Sequence, residues 1–288
     1  MTATAPDLIP LVPPKAQPLP IAPGEAIPLE HLSPHDLVTY FRCPHEMELH
    51  RSQHLSWRTG APLAPRTPSG TVPLSHSPLF PPPVGDPRPV HGRLDVGPQD
   101  TLVYQDPDEP ALPFLFPAER SHAHAFLRDH SATLEDRAWA LSGRPDYVVR
   151  RPDGHFFPVE YKETHLFEDY PRHHGRFFDF LQVLAECRLV EATWGVAPVS
   201  GLVYYGDSSG GGEREGWVEV PYAGAPRAWL QTALKLIRAD PVRAPVPQEG
   251  NCGHCEPNRD GLCAYPKVRF EDVHPSHRGE VPRARRFY

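Results

Sequence analysis

No stretch of these 288 residues is apolar for long enough to cross a bilayer, and the opening Met-Thr-Ala-Thr-Ala-Pro-Asp lacks the basic-then-apolar pattern of a secretory leader. The expectation is a cytoplasmic protein with no membrane contact. Excess positive charge is missing as well. With 29 Lys and Arg against 36 Asp and Glu, the formal charge is -7, which excludes a protein that coats nucleic acid by charge alone. A nucleic-acid role would need local basic patches and bound metal. Cysteine is too sparse for a disulfide framework. Five is an odd number, and in a reducing compartment such residues serve as ligands or thiols.

What the sequence has in excess is proline, 39 in all. Repeated prolines leave residues 1–28 no helical or strand period, so this part reads as an extended arm. A second Pro, Ser and Thr-rich stretch, about 59–90, is too long for an ordinary connection and reads as an insertion within a single domain spanning 29–265. Residues 266–288 form a tail.

Between these stretches the periodicities are clear. Ser33 caps a helix with Pro34 at its first position, and Leu37, Tyr40 and Phe41 recur at helical spacing until Arg42-Cys43-Pro44 breaks the run. His91–Val96 and Thr101–Tyr104 read as short strands, and Pro117–Asp129 as a helix. Thr133–Leu141 fits either a short helix or an edge strand. A long helix is expected from about His174 to Trp194, with Phe177, Phe180, Leu181, Leu184 and Val190 as its apolar stripe and Gly195 as its stop. Strands at 201–206 and 217–220 and a helix over 226–237 complete an α/β order: a central sheet flanked by helices.

The chemistry concentrates in Gly143–Lys162, G-R-P-D-Y-V-V-R-R-P-D-G-H-F-F-P-V-E-Y-K. Pro152-Asp153-Gly154 is a turn between two strand-like runs. Side chains alternate along a strand, so Glu160 and Lys162 share a face while Tyr161 points away. Folding the hairpin brings Asp146 near that pair. Two carboxylates beside one ammonium form a hard oxygen site suited to Mg2+ or Mn2+, the outline of phosphodiester chemistry.

Cys252 and Cys255 lie on a tight turn, Cys263 follows after seven intervening residues, and the segment is too polar to be core. The spacing points to metal ligation. His254, His274 or His277 would complete a zinc site, whereas Cys43 would complete an all-thiolate one. Cys187 falls inside the long helix and is expected to pack in the core.

In that order, Cys43-Pro44, a His-bearing helix, Gly143 to Asp146, Glu160-Tyr161-Lys162, Gln182 and Cys252, Cys255, Cys263 make a set. It resembles the PD-(D/E)XK nucleases of the RecB-like branch, namely the iron–sulfur exonucleases that include the CRISPR-associated adaptation nuclease and AddB-type nuclease domains. The likeness runs from about Leu32 to Cys263. It implies a restriction-endonuclease-like mixed sheet whose N- and C-terminal parts are joined by a [4Fe-4S] cluster on Cys43, Cys252, Cys255 and Cys263, with zinc as the alternative. It further implies Asp146 and Glu160 as ligands of Mg2+ or Mn2+, Lys162 beside the attacking water, and a helical histidine, His124 or its neighbour His122, near the metal. Gln182 would orient Lys162 or touch the DNA backbone. The tyrosine that the family places four residues later is Glu186 here, so Asp179, Gln182 and Glu186 form a polar stripe that either faces the metal site or is the wet side of the helix.

The implied function is a metal-dependent DNase, an exonuclease on single-stranded DNA or DNA ends, in repair or CRISPR adaptation with a protein partner from either pathway. Tyr161, Phe167 and Tyr170 are candidates for base stacking, and Arg283, Arg285 and Arg286 for backbone contact. The competing readings are a non-catalytic nucleic-acid or partner-binding protein of the same fold, and a zinc-binding structural protein.

Overall fold

The computed structural model describes residues 32–43, 46–47, 89–94, 96–112, 115–163, 176–206 and 215–239. The arm, most of the Pro-rich stretch and the tail lie outside these residues. Helix α1 (Pro34–Arg42) opens as its sequence dictates. The Ser33 hydroxyl accepts from Asp36 N–H at 3.0 Å, and the Asp36 carboxylate accepts from Ser33 N–H at 2.8 Å, a reciprocal cap that satisfies two otherwise orphaned donors. Its Leu37, Tyr40 and Phe41 are buried, with Phe41 against Trp229 at 5.3 Å between ring centres.

The centre is a mixed six-stranded sheet in the order β1-β8-β7-β6-β5-β2. Its strands are β1 (Pro89–His91), β2 (Thr101–Gln105), β5 (Tyr147–Arg150), β6 (Phe156–Glu163), β7 (Ser200–Gly206) and β8 (Gly216–Pro221). A separate hairpin holds β3 (Leu134–Asp136) and β4 (Leu141–Gly143). Neighbours in the large sheet are antiparallel except β6 and β7, which run parallel. A parallel pair needs a crossover, and the chain between them includes the long helix α3 (Arg176–Trp194). The remaining helices are α2 (Ala123–Asp129) and α4 (Ala225–Ala239). No helix among the described residues is long and apolar enough to cross a membrane.

Alternation along the strands builds two apolar layers. Val148, Phe156, Val203 and Tyr205 face α1, α3 and α4, while Tyr147, Val149, Phe157, Val159, Tyr161 and Tyr204 face the opposite way, toward Leu94, Leu112, Leu115 and Phe116. Helix α3 comes so near the sheet at β7 that a Cβ on Gly201 would overlap Val183 Cγ1 and stand 2.9 Å from Cys187 Sγ. Cys187 is fully buried, as its helical position suggested.

Two expectations shift, and one open alternative is decided. The helix expected over 117–129 is a 3-10 turn (Ala118–Arg120) followed by α2, because His122 N–H donates to Leu102 O at 2.7 Å and pulls the chain onto the edge of β2. Thr133–Leu141, open between a short helix and an edge strand, takes the strand: β3 and a turn, with Ala140 at a φ of 43° before β4. Pro89 and Val90 belong to β1, paired with Val218 and Trp217, so the insertion ends before them. That strand stops at His91 because Gly92, at a φ of 103°, turns the chain to donate to Glu215 O.

Candidate active site

The β5–β6 hairpin closes as the Pro-Asp-Gly punctuation indicates. Arg151 N–H donates to His155 O at 2.8 Å, and Gly154 takes the left-handed conformation at a φ of 87°. The register pairs Tyr147 with Val159, which sets Asp146 alongside the end of β6. There the Asp146 carboxylate accepts from Tyr161 N–H at 2.6 Å. Lys162 Nζ forms an ion pair with Glu160 Oε1 and donates to Gln182 Oε1 at 3.2 Å. Asp146, Glu160, Lys162 and Gln182 are thus drawn together by one hairpin and one helix.

The polar stripe of α3 is not its wet side. Asp179 accepts from the Tyr205 hydroxyl at 2.8 Å, Gln182 meets Lys162, and Glu186 is fully buried. Glu186 lies within hydrogen-bond reach of Glu160, a bond that needs a proton on one of the two acids; with both ionised, neither has a proton to give. Glu160 Oε2 and both Glu186 oxygens consequently have no donor among the described residues.

A further acid approaches from the loop after β2. Asp106 N–H donates to Asp146 O at 2.8 Å, and its side chain accepts from Asp108 N–H at 3.0 Å. Arg144 clamps Asp106 and Asp108 at 3.2 and 2.7 Å, and the Tyr147 hydroxyl donates to Pro110 O at 2.6 Å. Held this way, half-buried Glu109 feels the charge of Glu160. Glu109 belongs to none of the motifs named above. The legible signal was the acidic Asp106-Pro107-Asp108-Glu109-Pro110 turn, since antiparallel pairing of β2 with β5 sets the end of one strand beside the start of the other.

Charge crowding sets the titration behaviour. Burial first, and the Glu160 charge second, raise Asp146 well above the carboxylate range, against the pull of Tyr161 N–H. The same two causes, in that order, raise Glu186 and Glu109. For Lys162 burial acts against the charge, but the Glu160 carboxylate outweighs it and lifts the ammonium above its usual range. Lys162 is therefore held as an ammonium in the metal-free protein.

An all-oxygen, acid-rich donor set with orphaned buried oxygens fits a hard divalent cation. In the arrangement described, no three His, Cys, Asp or Glu side chains among the described residues are gathered tightly enough to hold an ion.

The side chains of the other expected residues are not among the hydrogen-bond partners of these acids in the described residues. His124 is exposed on α2 and makes no hydrogen bond or ion pair with these carboxylates among the described residues. The buried side chain of α2, Phe126, packs on Tyr104 and on Trp194, at the far end of α3 from Gln182. His122 is likewise exposed. Tyr161 is buried against Tyr204 and donates its hydroxyl to Gly206 O at 3.2 Å, which removes it as a platform for bases. Cys43 is half-buried at the C-terminal cap of α1, donating its N–H to Thr39 O at 2.7 Å and accepting from Met47 N–H at 3.2 Å. Cys252, Cys255, Cys263, His254, His274, His277, Phe167, Tyr170, Arg283, Arg285 and Arg286 lie outside the described residues.

No known family model matches the chain, and no curated protein matches it significantly.

Proposed function

We propose that this protein is a divalent-metal-dependent phosphodiesterase acting on DNA, with the restriction-endonuclease-like form of the α/β fold. What supports the reading is one observation: Asp146, Glu160, Lys162 and Gln182, separated by up to 36 positions in sequence, meet at one end of the β5–β6 hairpin under α3. Asp146 and Glu160 would hold Mg2+ or Mn2+. Such an ion supplies positive charge against the phosphate oxygens and eases deprotonation of the attacking water. Tyr161 N–H fixes the orientation of Asp146, and the Gln182 carbonyl aims the Lys162 ammonium. Lys162, kept charged by Glu160, adds a second positive charge beside the site. The expected result is release of nucleotides or short fragments from end-labelled single-stranded DNA in Mg2+ or Mn2+ and none in EDTA. Equal cleavage in EDTA, or none with either metal, defeats the reading.

The cysteines bear on a separate part of the proposal. Cys43, at the break after α1, would join Cys252, Cys255 and Cys263 on a [4Fe-4S] cluster that ties distant parts of the chain together. Protein purified without oxygen is expected to be brown and to carry about four iron atoms and about four labile sulfides per chain. A colourless preparation with stoichiometric zinc and no iron assigns the thiolates to zinc instead.

A further inference from the structure

The least expected side chain in the interior is Glu186. It is wholly enclosed, both its oxygens lack a donor among the described residues, and it faces Glu160, whose Oε2 lacks one too. Interiors do not leave acceptors orphaned without a compensating partner, because the lost hydration has to be replaced. The other Glu160 oxygen already has its partner in Lys162. Asp146 is anchored through Tyr161 N–H. Three acids, Asp146, Glu160 and Glu186, therefore share a single ammonium; protons balance the remainder in the metal-free protein, and a divalent ion has the charge to take their place.

We propose that Glu186 is a positioning residue for the divalent cation, acting through Glu160. This rests on the reading of Asp146 and Glu160 as cation ligands and adds a residue to it. An acid behind Glu160 donates nothing to Oε2 once a cation is present, so that oxygen stays open toward the ion, and its negative charge strengthens the field there. A glutamine of the same shape would do the opposite. Its amide would donate to Oε2, occupy the oxygen, and remove the charge.

The probe is Mn2+ alone, titrated into the full-length protein and followed by the spin-resonance signal of the free ion. Glu186→Gln is expected to stay folded, with a melting temperature in EDTA no lower than wild type, while its Mn2+ dissociation constant rises about tenfold or more. Glu186→Asp, which keeps the charge, is expected to bind more tightly than Glu186→Gln and serves in its place for the comparison with wild type if the glutamine variant does not fold. Adding Glu186→Gln to Glu160→Gln is expected to change affinity by less than about twofold, since the effect passes through Glu160. A purely structural Glu186 would move the melting temperature and leave Mn2+ affinity alone, and that outcome overturns the inference. So does an additive loss in the double variant. Wild-type protein that takes up no Mn2+ overturns the cation site itself, and this inference falls with it.

Discussion

Glu160→Gln is expected to reduce DNA cleavage by about a thousandfold or more while leaving the metal-free protein as stable as wild type, or more so. The two halves have one cause. Glu160 is buried, and it lies between a like charge at Glu186 and an ammonium at Lys162. Its amide can still accept from Lys162 and can donate to an orphaned Glu186 oxygen, so the fold loses a repulsion and gains a hydrogen bond. The cation site loses a charged ligand. Titration gives a second signature. In the metal-free protein Asp146 is raised from its ordinary 3.8 to about 9, by burial first and by the Glu160 charge second. A raised carboxyl binds its proton more tightly in the folded chain, so its contribution favours the fold in acid and is lost as pH rises through the folded value. Melting curves in EDTA are therefore expected to fall for wild type between about pH 4 and about pH 9, and to fall less for Glu160→Gln. Cleavage within tenfold of wild type, or a melting temperature well below it, would separate Glu160 from the role given to it.

Much of this arrangement is legible in the sequence, for reasons that are local. A Pro-Asp-Gly turn between apolar runs specifies a hairpin, and strand alternation then decides that Glu160 and Lys162 share a face, with Tyr161 on the other. Ser33 and Pro34 mark the start of α1, and Gly195, at a φ of 73°, ends α3. The parts that were not legible depend on contacts between elements distant in sequence. Periodicity placed Asp179, Gln182 and Glu186 on one stripe, but which way the stripe turns is set by how α3 lies on β6 and β7, and no local pattern contains that. Glu109 reaches the site only because Arg144 and Tyr147 hold its loop. The helix expected at Pro117 breaks at His122 because an edge strand offers its N–H a better acceptor. Helix membership puts His124 on α2 but does not decide which face of α2 meets the sheet; there Phe126 packs on Tyr104 and His124 is exposed.

The approach of α3 to the sheet is the joint on which the candidate site turns, and Gly201 is where it can be tested without touching an ionisable group. A Cβ there would overlap Val183 Cγ1, stand 2.9 Å from Cys187 Sγ and 3.1 Å from Pro158 Cγ. All three partners are enclosed by the sheet and α3, so none can swing away as an exposed side chain would. Overfilling of this kind costs about 1–3 kcal/mol, and in a chain of this size that lowers the melting temperature by roughly 2–5 °C. Two of these neighbours, Val183 and Cys187, adjoin Gln182 and Glu186 on α3. Gly201→Ala is therefore expected to lengthen the 3.2 Å contact between Gln182 and Lys162 and to lower cleavage along with stability, although position 201 carries no polar side chain and stands two residues along β7 from Val203, the partner of Glu160. Adding Val183→Ala should restore both in part, because it removes the methyl that the new Cβ strikes. If the double variant recovers its melting temperature but not its cleavage, the seating of α3 does not set the geometry of Lys162. If neither quantity changes in Gly201→Ala, the helix is not packed on the sheet as closely as these distances require.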